Sequence, residues 1–242
     1  REICQNSLDA KREDEDHVVV KFDLKSLPKD QFEAIYSFDD IIKECKEYWG
    51  LDELRFKSFI EEAEALLKKP TVDVLVISDT KTTGLTGAKE DKKKTVWTAL
   101  TKSSGVTNKT NSGSGGSYGI GKSAPFACSA FRTVFYNTYA VDGVRAFQGV
   151  SRLVTHLDKD VTETQGDGYY QNVDSWQPIF SSDECDIRDQ FPRDEYGTDV
   201  IILGFKTDGS WQETIQRAII KNFFYAIYEG TLVVEIGGET ID

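Results

Sequence analysis

The sequence predicts an α/β fold, a two-layer sandwich of helices on a mixed, largely antiparallel sheet. Three observations carry this expectation. Runs rich in β-branched residues alternate with stretches of helical period along the chain. Asp142-Gly143 and Gly237-Gly238 each separate two strand-like runs, and such two-residue turns join antiparallel neighbours. The 242 residues, 39% hydrophobic and 12% aromatic, are enough for a sizeable core and too apolar for a disordered chain, so residues 1–242 read as one domain.

Residues 2–12 (EICQNSLDAKR) read as the end of a helix, with Ile3, Ser7, Leu8 and Ala10 as its packing side. Residues 17–24 (HVVVKFDL) are a strand by β-branched content, closed by Pro28. From Asp30 to Lys69 the period becomes helical: Phe32, Ile35, Phe38, Ile41, Ile42 and Cys45, then Phe56, Phe59, Ile60, Ala63 and Leu67. Val72–Ser78 (VDVLVIS) is an apolar run between Pro70 and Asp79, the mark of a central strand. A Gly/Ser/Thr-rich stretch follows, and its later part, to Gly121, is loop by composition. Lys122–Phe131 is expected to be helical, Thr133–Val141 and Val144–Thr155 a hairpin. Residues 156–197 are acidic and irregular. Thr198–Phe205 is a strand, Trp211–Tyr228 an amphipathic helix, and a short hairpin from Leu232 ends the sequence.

Charge narrows the function. Lys plus Arg number 29 against 41 Asp plus Glu, a net charge of −12, which argues against nucleic acid as a partner of this domain alone. No apolar run approaches the roughly 20 residues of a membrane helix and no signal peptide is seen, so no membrane partner and a cytoplasmic location are expected. Cys4, Cys45, Cys128 and Cys185 form no CxxC pair and His17 and His156 are the only histidines, so neither a zinc site nor a disulfide scaffold is expected.

The strongest local motif is GSYGIGKS, residues 116–123. Gly116, Gly121, Lys122 and Ser123 satisfy the P-loop pattern. A P-loop needs a buried strand just before it, and VTNKTNSGSG is no core strand. The glycines, including Gly119, can still bring backbone amides against an anion, or the stretch can be a simple linker. Glu2, Asn6 and Asp9 share one helix face by their spacing, either as a solvated stripe or as a carboxylate beside an amide, a pairing suited to activating water near magnesium. Asp79 ends the central strand, where α/β sheets commonly bind ligands, and its carboxylate accepts hydrogen bonds, as an adenine amine requires. Gly84 and Gly87 would let backbone lie against a flat base. A cap or turn at Asp79 is the plainer alternative.

Together these segments resemble the GHKL ATPases, the superfamily of gyrase B, MutL, the heat-shock chaperone, MORC proteins and histidine kinases, nearest in style to the chaperone and MORC members. EICQNSLDA is similar to their first box, which implies Glu2 as general base, Asn6 as magnesium ligand and Asp9 as a supporting pocket residue. VLVISDTKTTGLTG resembles the second box, implying that Asp79 binds adenine, with Gly84 nearby. GSYGIGKSAPF resembles the lid, implying phosphate contacts by Gly116, Gly119 and Gly121, with help from Lys122 and Ser123. Gly197-Thr198 resembles the chaperone and MORC Gly-Thr, in which Thr198 would support the adenine contact. The resemblance spans residues 2–205 and implies a Bergerat-type fold, a helical insertion at 30–69 and an ATP lid at about 103–121. One departure stands out: the second box is usually Asp-x-Gly-x-Gly, and position 81 is Lys.

The implied cofactors are ATP and Mg²⁺, and the implied activity is slow ATP hydrolysis, with lid closure coupled to homodimerisation or to partner engagement. The alternatives are a nucleotide-gated interaction module that does not hydrolyse ATP and, less favoured, a P-loop NTPase.

Overall fold

One long mixed sheet organises the chain in the computed structural model, which describes residues 1–31, 34–51, 54–90, 94–102, 120–160, 162–181, 186–207 and 209–241. The helices are α1 (Glu2–Asp9), α2 (Ala34–Trp49), α3 (Leu54–Leu67), α4 (Val96–Thr101), α5 (Ala124–Ala127), α6 (Asp186–Asp189) and α7 (Trp211–Tyr228). The strands are β1 (Val18–Pro28), β2 (Thr71–Thr80), β3 (Thr133–Tyr139), β4 (Arg145–Arg152), β5 (Asp167–Tyr170), β6 (Gly197–Leu203), β7 (Leu232–Ile236) and β8 (Glu239–Ile241). They form one sheet in the order β5-β4-β3-β6-β2-β1-β7-β8. β1 and β7 pair in parallel, and the other neighbours run antiparallel. The expected mixed, largely antiparallel sheet is therefore present.

Alternation along the strands divides the core in two. Val72, Val74 and Val76 of β2, Phe135 of β3 and Ile201 and Leu203 of β6 pack with Ile35, Phe38, Ile42 and Cys45 of α2 and Phe56, Phe59, Ile60 and Ala63 of α3. Leu75 and Ile77, Val134 and Tyr136, and Val200 and Ile202 point the other way, to Cys4 of α1, Trp97 of α4, Phe126 of α5 and Ile219 and Phe223 of α7. Helices thus cover both faces, giving three layers where two were expected. The 30–69 segment makes the difference: each helix presents an apolar stripe, and the sheet's second face is the surface that buries it. Burying each of those large side chains contributes about 1.5–3 kcal/mol. Both-sided burial also explains why VDVLVIS is apolar without alternation.

The helix expected over Lys122–Phe131 is shorter than its sequence suggests. A 3₁₀ turn (Ile120–Ser123) leads into α5, which ends at Ala127. Ser129 Oγ accepts the amides of Phe131 (3.2 Å) and Thr133 (3.0 Å), turning the chain into β3 in place of another helical turn. β1 exceeds its expected end because Lys25–Pro28 pair with Val74–Thr71. Within the irregular 156–197 region lie β5 and α6, and the loop between β4 and β5 holds α2 through Lys159–Asp40 (2.5 Å) and Trp49 Nε1 to the Thr155 carbonyl. No described helix is long and apolar enough to cross a membrane.

Candidate functional site

The register places Asp79 of β2 opposite Val20 of β1, while Ser78 pairs with Asp199 of β6. Asp79 belongs to the face that carries α1. Its side chain is 14% exposed. Oδ1 accepts the Thr82 hydroxyl at 2.7 Å and the Thr198 backbone amide at 2.8 Å, and Oδ2 accepts the Ser7 hydroxyl at 2.8 Å. Burial pushes the carboxyl above the ordinary carboxylate range, against the opposing pull of these donors and of Arg193. A carboxylate oxygen offers two acceptor positions. Oδ1 has both occupied, whereas Oδ2 retains one among its contacts with described residues.

Three of the resembling segments therefore meet at one carboxylate: the first through Ser7, the second through Asp79, the fourth through the amide of Thr198. Thr198 is buried, and its hydroxyl lies 3.4 Å from that of Thr138, which donates to the Gly197 carbonyl at 2.8 Å.

The helix α1 runs from this carboxylate towards the start of α5. Glu2 precedes Ser7 by five residues, about 7.5 Å along a helix axis. Its charge acts on Lys122, whose ammonium is pushed below its usual range by burial and by Arg152 and is supported by Glu2. Lys122 Nζ donates to the Ala99 carbonyl of α4 at 2.6 Å, tying together the two described segments that flank residues 103–119. Arg152 Nη1 donates to Ser123 Oγ at 3.0 Å, and its guanidinium stacks 4.2 Å from the Phe126 ring centre. Positive charge gathers at this end of α1, an uncommon feature in so acidic a chain.

The sequence-predicted residues fare differently. Glu2 is half-buried, whereas Asn6 and Asp9 are exposed on the same outward face of α1. Asp9 accepts a hydrogen bond from Gln5 of its own helix at 2.9 Å. The link from α1 to Asp79 is made instead by Ser7, which the sequence marks only as a packing residue. Gly84 (φ 65°) lies against the end of β3, where a Cβ would come within 2.7 Å of the Tyr139 carbonyl oxygen. That contact explains the glycine as packing between loop and sheet. Gly121 sits in the 3₁₀ turn before α5. Gly116 and Gly119, most of the ATP lid expected at about 103–121, and the residues that would precede a P-loop lie outside the described residues.

Lys81 occupies the position of the usual glycine, and its φ of 65° is the left-handed conformation that glycine favours. Lys81 Nζ meets Glu15 at 3.4 Å and His17 Nε2 at 3.0 Å. A left-handed non-glycine residue costs about 1–2 kcal/mol, and a partly exposed ion pair contributes less than about 1 kcal/mol. Lys81→Gly is therefore expected to stabilise the protein by up to about 1 kcal/mol. The check is a rise in the urea midpoint at unchanged slope; a lower midpoint would show the Glu15 and His17 contacts to outweigh the strain.

Arg193, from the irregular stretch before β6, is the residue that the sequence concealed most fully. Its side chain is 7% exposed. Nη1 donates to Asp199 Oδ1 at 2.5 Å, Nη2 donates to the Asp79 carbonyl, and Nη2 lies 3.9 Å from Asp79 Oδ1. A cavity of about 470 Å³ opens beside it, lined by Asn137, Arg145, Arg188 and Pro192 among others and by none of the sequence-predicted site residues. Neither a protein-family model nor a curated protein matches the chain.

Proposed function

We propose that the chain is the ATP-binding domain of a GHKL-type ATPase, which binds ATP with magnesium along α1 and hydrolyses it slowly. The observation that carries this reading is the meeting of Ser7, Asp79 and the Thr198 amide at one buried carboxylate with an acceptor position to spare. An exocyclic adenine amine is a donor of the right kind for that position. The phosphates would then extend along α1 towards Lys122 and Arg152, the cations at its other end. Glu2, whose charge acts on Lys122, would take the proton of an attacking water.

Magnesium fits the donor set as a substrate-borne ion. Among the described residues there is no cluster of three or more His, Cys, Asp or Glu, and Asn6 offers a neutral oxygen one turn from Glu2. Phosphate oxygens and water would complete its shell, and bound there it would neutralise charge between the phosphates. By the same resemblance, nucleotide binding would favour a homodimer or a partner-bound state.

Glu2→Ala is expected to retain ATP, measured by calorimetry, while phosphate release falls about a hundredfold. Unchanged turnover would remove Glu2 from the role of base. ATP retained by the wild type with no phosphate release at all would favour the non-hydrolysing interaction module.

A further inference from the structure

Two buried carboxylates on opposite faces of the sheet share one guanidinium. Asp199 points to the α2–α3 side, where it accepts Ser78 Oγ at 2.6 Å, Asn137 Nδ2 at 2.9 Å and Arg193 Nη1 at 2.5 Å. Asp79 points to the α1 side. Arg193 reaches both by passing over Gly197, at φ 147°, where a Cβ would collide with its Nη2 and with the Asp79 carbonyl. Its own carbonyl accepts Arg145 Nη1, so the segment carrying it is fixed as well.

We propose that Arg193 is the positioning residue of the nucleotide site: its guanidinium, laid over Gly197, holds the Asp79 carboxylate against β6 and supplies the positive charge beside it. This rests on the reading of Asp79 as the adenine acceptor. In this reading Arg193 meets Asp79 rather than the nucleotide, so it acts through Asp79. Among the described residues, few groups face that carboxylate from the surrounding elements. From α1 come Ser7 and the Cys4 thiol, which burial pushes up to about 11 and so keeps neutral; from the following loop comes Thr82, and from β6 the Thr198 amide. Lys81 is engaged with Glu15. Arg193 is thus the cation among these facing groups, and it opposes the burial that favours the protonated acid.

The test is the pH dependence of the carboxyl itself and of nucleotide binding. Arg193→Met is expected to move the Asp79 carboxyl ¹³C titration, assigned by its loss in Asp79→Asn, to higher pH. ATP affinity in that variant should begin to fall at a higher pH than in the wild type as the pH is lowered, because the protonated acid loses an acceptor position. Arg193→Lys, which keeps the charge, should titrate close to the wild type. Arg193→Met leaves Asp199 buried and unpaired, so Arg193→Met with Asp199→Asn provides a second variant of the same kind without that penalty. A folded variant of either kind with an unmoved Asp79 titration overturns the proposal. A shifted titration in a protein that binds no ATP would retain the Arg193–Asp79 coupling and overturn the adenine reading instead.

Discussion

Gly197→Ala is expected to cost more stability than any other single-methyl change at this site and, if the proposed function holds, to abolish nucleotide binding with it. An alanine there would carry its Cβ into Arg193 Nη2 and the Asp79 carbonyl, and to 2.7 Å from Asp79 Oδ1, at a φ of 147°. Backbone strain at such a position costs about 1–3 kcal/mol. Overpacking adds about 1–3 kcal/mol. Neither neighbour can yield cheaply, because Arg193 neutralises Asp199 and because Asp79 is held by Ser7, Thr82 and Thr198. A loss of about 4 kcal/mol corresponds to roughly 10 °C in melting temperature for a chain of this size. Gly143→Ala is the natural control: at φ 78° in the β3–β4 turn its Cβ would meet nothing within 4 Å, so only the backbone strain remains. Calorimetric melting of both variants checks the difference. Equal losses would show that the crowding around Arg193 and Asp79 relaxes freely and that Gly197 is not required by their packing.

How much of this could be read from the sequence depends on whether a residue announces itself by period or by contact. The helix α7 was legible to the residue because Trp211, Ile215, Ile219, Phe223 and Ile227 repeat at helical spacing, and the β3–β4 hairpin because Asp142-Gly143 sits between two strand-forming runs. Helical period in α2 and α3 was equally plain. It shows that each helix has a buried face but not which side of a sheet that face meets, so the third layer was hidden. At the site, Asp79 was legible as the residue that ends the central strand, and Thr198 only through the resemblance of Gly197-Thr198 to the chaperone and MORC pair. Ser7 was not, since a buried serine next to Leu8 reads as packing until β2 brings a carboxylate to it. Arg193 gave no signal in an irregular acidic stretch. Only the β2–β6 register, with Ser78 opposite Asp199, shows why a guanidinium is needed between the strands. Lys81 illustrates the reverse case, in which a residue of ordinary sequence character adopts the left-handed conformation that glycine favours.

Asp79→Asn should separate function from stability more sharply than any other substitution in the protein. The amide oxygen can accept the Thr82 hydroxyl and the Thr198 amide, as Oδ1 does, and the NH₂ can donate to Ser7 Oγ, whose own proton can turn from Oδ2 to the Ile3 carbonyl at 3.1 Å. The fold therefore keeps its local bonds. What changes is the open position, which becomes a donor facing another donor. ATP affinity is expected to fall at least about a hundredfold, the scale set by leaving buried polar groups unpaired. The pH dependence of folding should change with it. Burial raises the native carboxyl of Asp79 above its unfolded value, so the native state holds this proton to higher pH than the unfolded chain does. Asp79 therefore favours folding at low pH and costs stability as the pH rises from the unfolded carboxyl range through the raised native value. Asp79→Asn removes that cost, so its stability relative to the wild type should improve across the same rise in pH. Melting curves and ATP titrations on the same samples decide the matter. Retained affinity would show that the carboxylate does not read the base, and a relative stability that worsened with rising pH would show that Arg193 and the three donors outweigh burial.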